Sequence, residues 1–143
     1  MVQVYSSSKE EIQNMIKIVA FDIFGVFYKP SFLLLGSYDK EMIQIVEELK
    51  KKNIRVIAIT NSTQNFSGLT NVFQKRYVGS ELGMYKPEKN MFAHVLTEEK
   101  VAPGEVLFFD DGAENVGVAK EMGINAFLFE SPEETKKILE RFF

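Results

Sequence analysis

Residues 16–24 read IKIVAFDIF, an apolar run broken only by Lys17 until it meets the carboxylate of Asp22. Continuous rather than alternating apolar character is what a strand covered on both faces requires, and that is the situation of an inner strand in a parallel sheet. Asp22 then falls where the strand gives way to a loop, and Gly25 permits a tight turn just beyond it.

Reading outward, the same design recurs twice. IRVIAIT (54–60) is a second buried strand ending in Thr60, and EVLFFDD (105–111) is a third ending in Asp110 and Asp111. Shorter strands are expected at 76–80 and in NAFLFE (125–130). Helices are expected between them. Residues 38–52 carry Met42, Ile45, Val46 and Leu49 as a stripe, with the cations of KKKN beside the carboxyl end. Further helices are expected at 88–96, with Pro87 in the first turn, at 113–122, ended by Gly123, and at 132–142. Residues 64–75 read as a weak helix or two short ones. Residues 1–8 form a loose lead-in whose serines at 6–8 can cap a short helix at 9–15. Strands alternating with helices predict an open, mostly parallel α/β sheet with its ligand site outside the carboxyl ends of the strands. No repeat or linker divides the 143 residues, so a single domain over 1–143 is expected.

Composition narrows function mainly by exclusion. A net charge of −3 supplies no basic footprint for nucleic acid or an anionic membrane. The absence of cysteine excludes disulfides and thiolate-bound zinc, and with no secretory leader or long apolar span the expected compartment is the cytoplasm. Phe32, Leu33, Leu34 and Leu35 follow soon after Asp22. They are expected to pack as core, or else to form an apolar rim that contacts a substrate or a second copy of the chain.

Each strand end carries chemistry. A carboxylate at Asp22 can attack phosphorus, although a strand followed by Asp and a turn is also an ordinary loop signal. Adjacent carboxylates at Asp110 and Asp111 repel unless a cation relieves them, and clustered hard oxygens suit Mg²⁺; the plainer role is to cap the helix that starts at Ala113. Thr60, with Asn61 and Ser62 behind it, offers a hydroxyl and backbone N–H groups to phosphoryl oxygens, or simply an N-cap run. Lys86 in GMYKPE is presented near a helix N-terminus by Pro87, where a fixed ammonium opposes negative charge; alone it is one lysine among many. His94, the single histidine, has no partner identifiable from spacing. Together these residues supply a nucleophile, a hydroxyl, a cation and an acidic pair, the set that a phosphoryl group held on Mg²⁺ needs.

In that order and spacing, FDIFGVF, ITNS, GMYKPEKNMF and FFDDGAENVGVAKEMG resemble the four motifs of the haloacid dehalogenase (HAD) superfamily, over roughly residues 17–130. The resemblance implies a three-layer sandwich around a mostly parallel, Rossmann-like HAD core sheet. It implies Asp22 as nucleophile and Mg²⁺ ligand, with the Phe24 backbone carbonyl, Asp110 and Asp111 as further ligands. Thr60, Asn61 and Lys86 would bind the phosphoryl group, Lys86 also stabilising its charge.

Two departures shape the expected activity. Superfamily phosphatases usually carry a second Asp two positions after the nucleophile to protonate the leaving group, and here that position is Phe24. Loss of a positioned acid costs roughly 10²–10⁴ in rate on poor leaving groups. Only 38 positions separate Asp22 from Thr60, and 26 separate Thr60 from Lys86, too few for a cap domain. The retained acidic pair favours phosphate chemistry over dehalogenation. The expected activity is therefore that of a capless, Mg²⁺-dependent phosphohydrolase acting through an aspartyl-phosphate on a small-molecule or macromolecular phosphate. The alternative is a catalytically idle HAD domain used for binding or assembly. A response-regulator receiver is disfavoured, because its acidic pair lies near the first strand.

Overall fold

The computed structural model describes residues 15–29, 37–62 and 67–143. Five parallel strands, β1 (Ile18–Phe21), β4 (Arg55–Thr60), β5 (Lys75–Val78), β6 (Val106–Asp110) and β7 (Asn125–Leu128), lie in the order β5–β4–β1–β6–β7. A small antiparallel ribbon pairs β2 (Tyr28–Lys29) with β3 (Ser37–Tyr38). The helices are α1 (Lys40–Lys51), α2 (Gly79–Leu82), α3 (Lys89–Glu99), α4 (Ala113–Glu121) and α5 (Pro132–Glu140).

Every residue of β1 and β6 is buried, and β4 exposes only Arg55. Side chains alternate across a strand, so neighbours in sequence enter different cores. Val19, Phe21, Val56, Ala58, Leu107 and Phe109 pack with α1 and α5, whereas Ile18, Ala20, Ile57, Ile59, Val106 and Phe108 pack with α3 and α4. Two-sided burial thus explains why the central strands read as unbroken apolar runs. The result is the expected three-layer α/β sandwich.

The α1 stripe of Met42, Ile45, Val46 and Leu49 is buried as its spacing predicts, and the Asp39 carboxylate caps the helix by accepting from the N–H groups of Glu41 and Met42. Elsewhere boundaries shift. Pro87 does not open the first turn of α3: the N-cap is Glu88, and Pro87 precedes it across a cis Lys86–Pro87 bond. The expected helix over 64–75 is reduced, in its described part, to a single 3₁₀ turn at Ser67–Leu69. Leu69, Val72 and Phe73 are still buried there, and Gln74 continues the β4 edge instead: its N–H donates to the Val56 carbonyl while its side-chain Oε1 accepts from the Val56 N–H. The expected helix at 9–15, apart from its last residue, and the apolar stretch at 32–35 lie outside the described residues.

Among the described residues, β1 and β4 are separated only by the β2–β3 ribbon and α1, and β4 and β5 only by the 3₁₀ turn, so no cap domain is present among them. Nor, among them, is any helix long and apolar enough to cross a membrane.

Candidate active site

Because β4, β1 and β6 are adjacent and parallel, Thr60, Asp22 and Asp110 leave the sheet along one edge. The ladder continues one step past β1, with the Asp22 N–H donating to the Phe109 carbonyl at 3.0 Å. Lys86 arrives from the loop between α2 and α3. Its ammonium bridges the two strands, 3.0 Å from Asp22 Oδ1 and 2.7 Å from Asp110 Oδ2. All three side chains are buried or nearly so.

Asp110 is held from every side. Its Oδ1 accepts from the Gly112 N–H at 2.8 Å, and its Oδ2 accepts from Asn115 Nδ2 at 3.2 Å as well as from Lys86. The capping role considered for the acidic pair falls to Gly112, which is the N-cap of α4. Asp111 stands more exposed, its carboxylate tucked against the turn after β1. Gly25 has φ +84° there, and a Cβ on it would lie 2.0 Å from Asp111 Oδ2. Glycine suits the position, because this backbone shape strains an L side chain and a Cβ would force the Asp111 carboxylate to shift. Asp22, Asp110 and Asp111 consequently present carboxylate oxygens within 4.8 Å of one another.

Thr60 is buried, and its hydroxyl accepts from the Ser62 N–H at 3.3 Å. Asn61 does something the sequence does not reveal. Its Nδ2 donates to the Lys86 carbonyl at 2.9 Å and its Oδ1 accepts from the Lys86 N–H at 2.8 Å. The side-chain amide thereby acts as a short strand partner for the lysine loop and sets the height of the ammonium above Asp22 and Asp110. Asn115, unlike Asn61, is not among the site residues expected from the sequence, although its place in the first turn of the helix after FFDDG is the signal that points its amide back at Asp110. His94 is half-buried on α3, edge-on to Tyr77 and away from this cluster.

Asp22, Phe24, Thr60, Asn61, Ser62, Lys86, Asp111 and Asn115 line an open cleft of about 360 Å³. Burial pushes the Asp22 carboxyl up to about 6, against the opposing pull of Lys86 and with a further push from Asp110. Asp111 is also raised, by burial first and then by Asp110. A carboxyl whose folded value exceeds its ordinary 3.8 holds its proton more tightly when folded. Its contribution to stability is fully present below 3.8 and lost as pH rises through 6, a difference on the order of 3 kcal/mol for a shift of about two units. With divalent cations removed by chelator, the melting temperature is expected to rise as pH is lowered from 7 to 5; a flat or falling Tm over that interval would contradict the assignment.

Carboxylates, a buried lysine and a threonine are thus gathered at the carboxyl edge of a parallel sheet, the arrangement expected of the HAD superfamily. The haloacid dehalogenase-like hydrolase family model matches residues 36–123, and the chain belongs to that family. The bifunctional epoxide hydrolase 2 of Rattus norvegicus is 28% identical over 116 residues, covering 73% of this chain and 21% of its own length. The D-ribitol-5-phosphate phosphatase of Bacteroides thetaiotaomicron is 36% identical over 59 residues, 41% of this chain and 29% of its own. The chain thus spans about a fifth to a third of the length of these curated relatives. In fold it is similar to a HAD-family enzyme from Bacteroides thetaiotaomicron solved with magnesium and inorganic phosphate, with a TM-score of 0.70 at 17% identity over 80% of this chain and 94% of that one.

Proposed function

We propose that the chain is a Mg²⁺-dependent phosphohydrolase working through an aspartyl-phosphate on Asp22, with residues 1–143 acting as one HAD-like domain. The observation that carries this reading is the charge balance at the strand ends. Three carboxylates face one ammonium, leaving two negative charges on oxygens within 4.8 Å of one another. Hard oxygen donors in that number fit Mg²⁺, with Asp22, Asp110, Asp111 and the Phe24 carbonyl as its holders. Bound there, the ion supplies positive charge against the oxygens of the phosphoryl group. The phosphatase among the relatives and the magnesium and phosphate in the similar structure support the same reading.

An oxygen of the Asp22 carboxylate attacks phosphorus, and the bond to the leaving oxygen breaks with that oxygen keeping the electron pair. Lys86 neutralises charge on the nucleophile and the transferring group, while the Thr60 hydroxyl and the backbone behind it orient phosphoryl oxygens. Asn61 acts in this scheme through Lys86 rather than by its own side chain on the substrate. Water then attacks the phosphorus of the acyl phosphate, releasing inorganic phosphate and restoring the carboxylate. Phe24 offers no proton to the departing oxygen, so esters of poor leaving groups are expected to react roughly 10²–10⁴-fold more slowly than an enzyme with an acid there would manage.

The test is a panel of aryl phosphates, alkyl phosphates and acyl phosphates assayed with Mg²⁺ and with chelator. Turnover that needs Mg²⁺ and is faster on aryl and acyl phosphates is the expected result. Absence of turnover on every member would overturn the proposal.

A further inference from the structure

Among the described residues that line the cleft, Phe24 alone is apolar, and it is 41% exposed. An exposed phenyl ring gains free energy when covered, and Phe24 stands among the charged and polar residues of the cleft, where a bound molecule can cover it. It is also not isolated. The turn after β1 is closed by the Gly25 N–H donating to the Tyr28 carbonyl at 2.8 Å, which brings the Phe24 and Tyr28 rings to 6.2 Å at an angle of 47°. The ribbon then sets Tyr28 directly opposite Tyr38, with ring centroids 5.5 Å apart. The Tyr38 hydroxyl is anchored in turn, accepting from the Gly68 N–H at 3.3 Å. Three aromatic rings therefore run from the phosphate end of the cleft out along the β2–β3 ribbon.

We propose that Phe24, backed by Tyr28 and Tyr38, is a specificity-determining platform that selects phosphomonoesters of flat aromatic alcohols. This rests on the phosphohydrolase reading of the same cleft and adds the substrate class to it. Two properties of Phe24 point to that class. Phe24 places an aromatic residue beside the group attached to the phosphate, and flat aromatic groups gain most from contact with such a ring. It also withholds a proton from the leaving oxygen, and an aryloxide departs with its electron pair without needing one, taking its proton later from solvent. An alkoxide meets neither condition.

The experiment separates binding from turnover. With Mg²⁺ present, dissociation constants for 2-naphthyl phosphate and methyl phosphate are measured on the Asp22→Asn protein, where the bound ester persists. Naphthyl phosphate is expected to bind about tenfold tighter than methyl phosphate, with Phe24→Ala in the same background erasing most of that ratio, Phe24→Leu erasing part of it and Tyr28→Ala reducing it by a few-fold. Equal affinity for the two esters, or a ratio untouched by Phe24→Ala, would overturn the platform even if the parent hydrolyses phosphate esters. A ratio that behaves as expected in a parent that turns nothing over would leave the platform standing and remove the phosphohydrolase reading. In an active parent, the ratio of kcat/KM for naphthyl over acetyl phosphate should fall by about tenfold in Phe24→Ala.

Discussion

Asp22→Asn is expected to lower the rate of phosphate-ester turnover by 10⁴ or more while leaving the protein at least as stable at pH 7.5 as its parent. Nucleophile removal in enzymes of this kind of covalent logic costs losses on the order of 10⁴–10⁶, because no other group takes over the bond-forming step. The stability half of the expectation follows from the site. Asp22 sits beside Asp110 and is buried enough to be pushed up to about 6, so at neutral pH it is ionised against the preference of its surroundings. A neutral amide of the same shape removes that unfavourable charge and leaves Lys86 with Asp110 at 2.7 Å. Steady-state kinetics on the best ester of the panel, run beside thermal melts, checks both halves. Retained turnover would remove Asp22 from the nucleophile role, and a melting point many degrees lower would mean that the activity loss came from the fold.

Lys86→Met should produce the opposite stability result. Among the described residues, the Lys86 ammonium is the one cation between these two buried carboxylates, with its side chain 2% exposed. Removing one partner from a buried ion pair costs about 3–5 kcal/mol because the remaining charge stays buried and uncompensated. Here two carboxylates are left, so a loss in that range is expected in urea unfolding at pH 7.5. The loss should shrink as pH falls toward 5, since protonating Asp22 relieves the repulsion that the lysine formerly balanced. Activity should fall by 10²–10³ from loss of charge stabilisation alone. A loss of stability that does not change between pH 7.5 and 5 would mean that the lysine does not act by balancing the Asp22 charge, leaving its packing and the ammonium's position 5.7 Å from the Phe108 ring centroid as its contribution.

The central strands were legible because their burial is two-sided. Val19 and Ala20 enter different cores, yet both positions demand an apolar residue, so the sequence shows an unbroken run ending sharply at Asp22. Asp22, Thr60 and Asp110 were legible for a related reason: in a parallel sheet the last residue of each inner strand is delivered to one edge whatever lies between them. Lys86 and Asp111 converge there too, but their approach depends on loops. What the sequence did not disclose depends on pairings between distant loops. The Asn61 amide is a good N-cap candidate by type, and only the arrival of the Lys86 backbone 25 residues later turns it into a clamp. Residues 64–75 have helical spacing in Leu69, Val72 and Phe73, but the edge of β4 competes for Gln74 and wins with two hydrogen bonds to Val56. Pro87 is a helix-opening residue by propensity, and the helix starts after it because the lysine loop must first reach Asn61.

The pairing of β1 with β6 runs Ile18 to Val106 through Phe21 to Phe109, so the next rung would set Asp22 beside Asp110. Neighbouring strands lie about 4.8 Å apart wherever a sheet forms. The gap between those two acids is consequently a main-chain quantity, ruled by peptide hydrogen bonds. Repacking the apolar layers above or below can soften the scaffold without opening that gap, whereas sliding either strand by a single residue would turn one carboxylate to the opposite face.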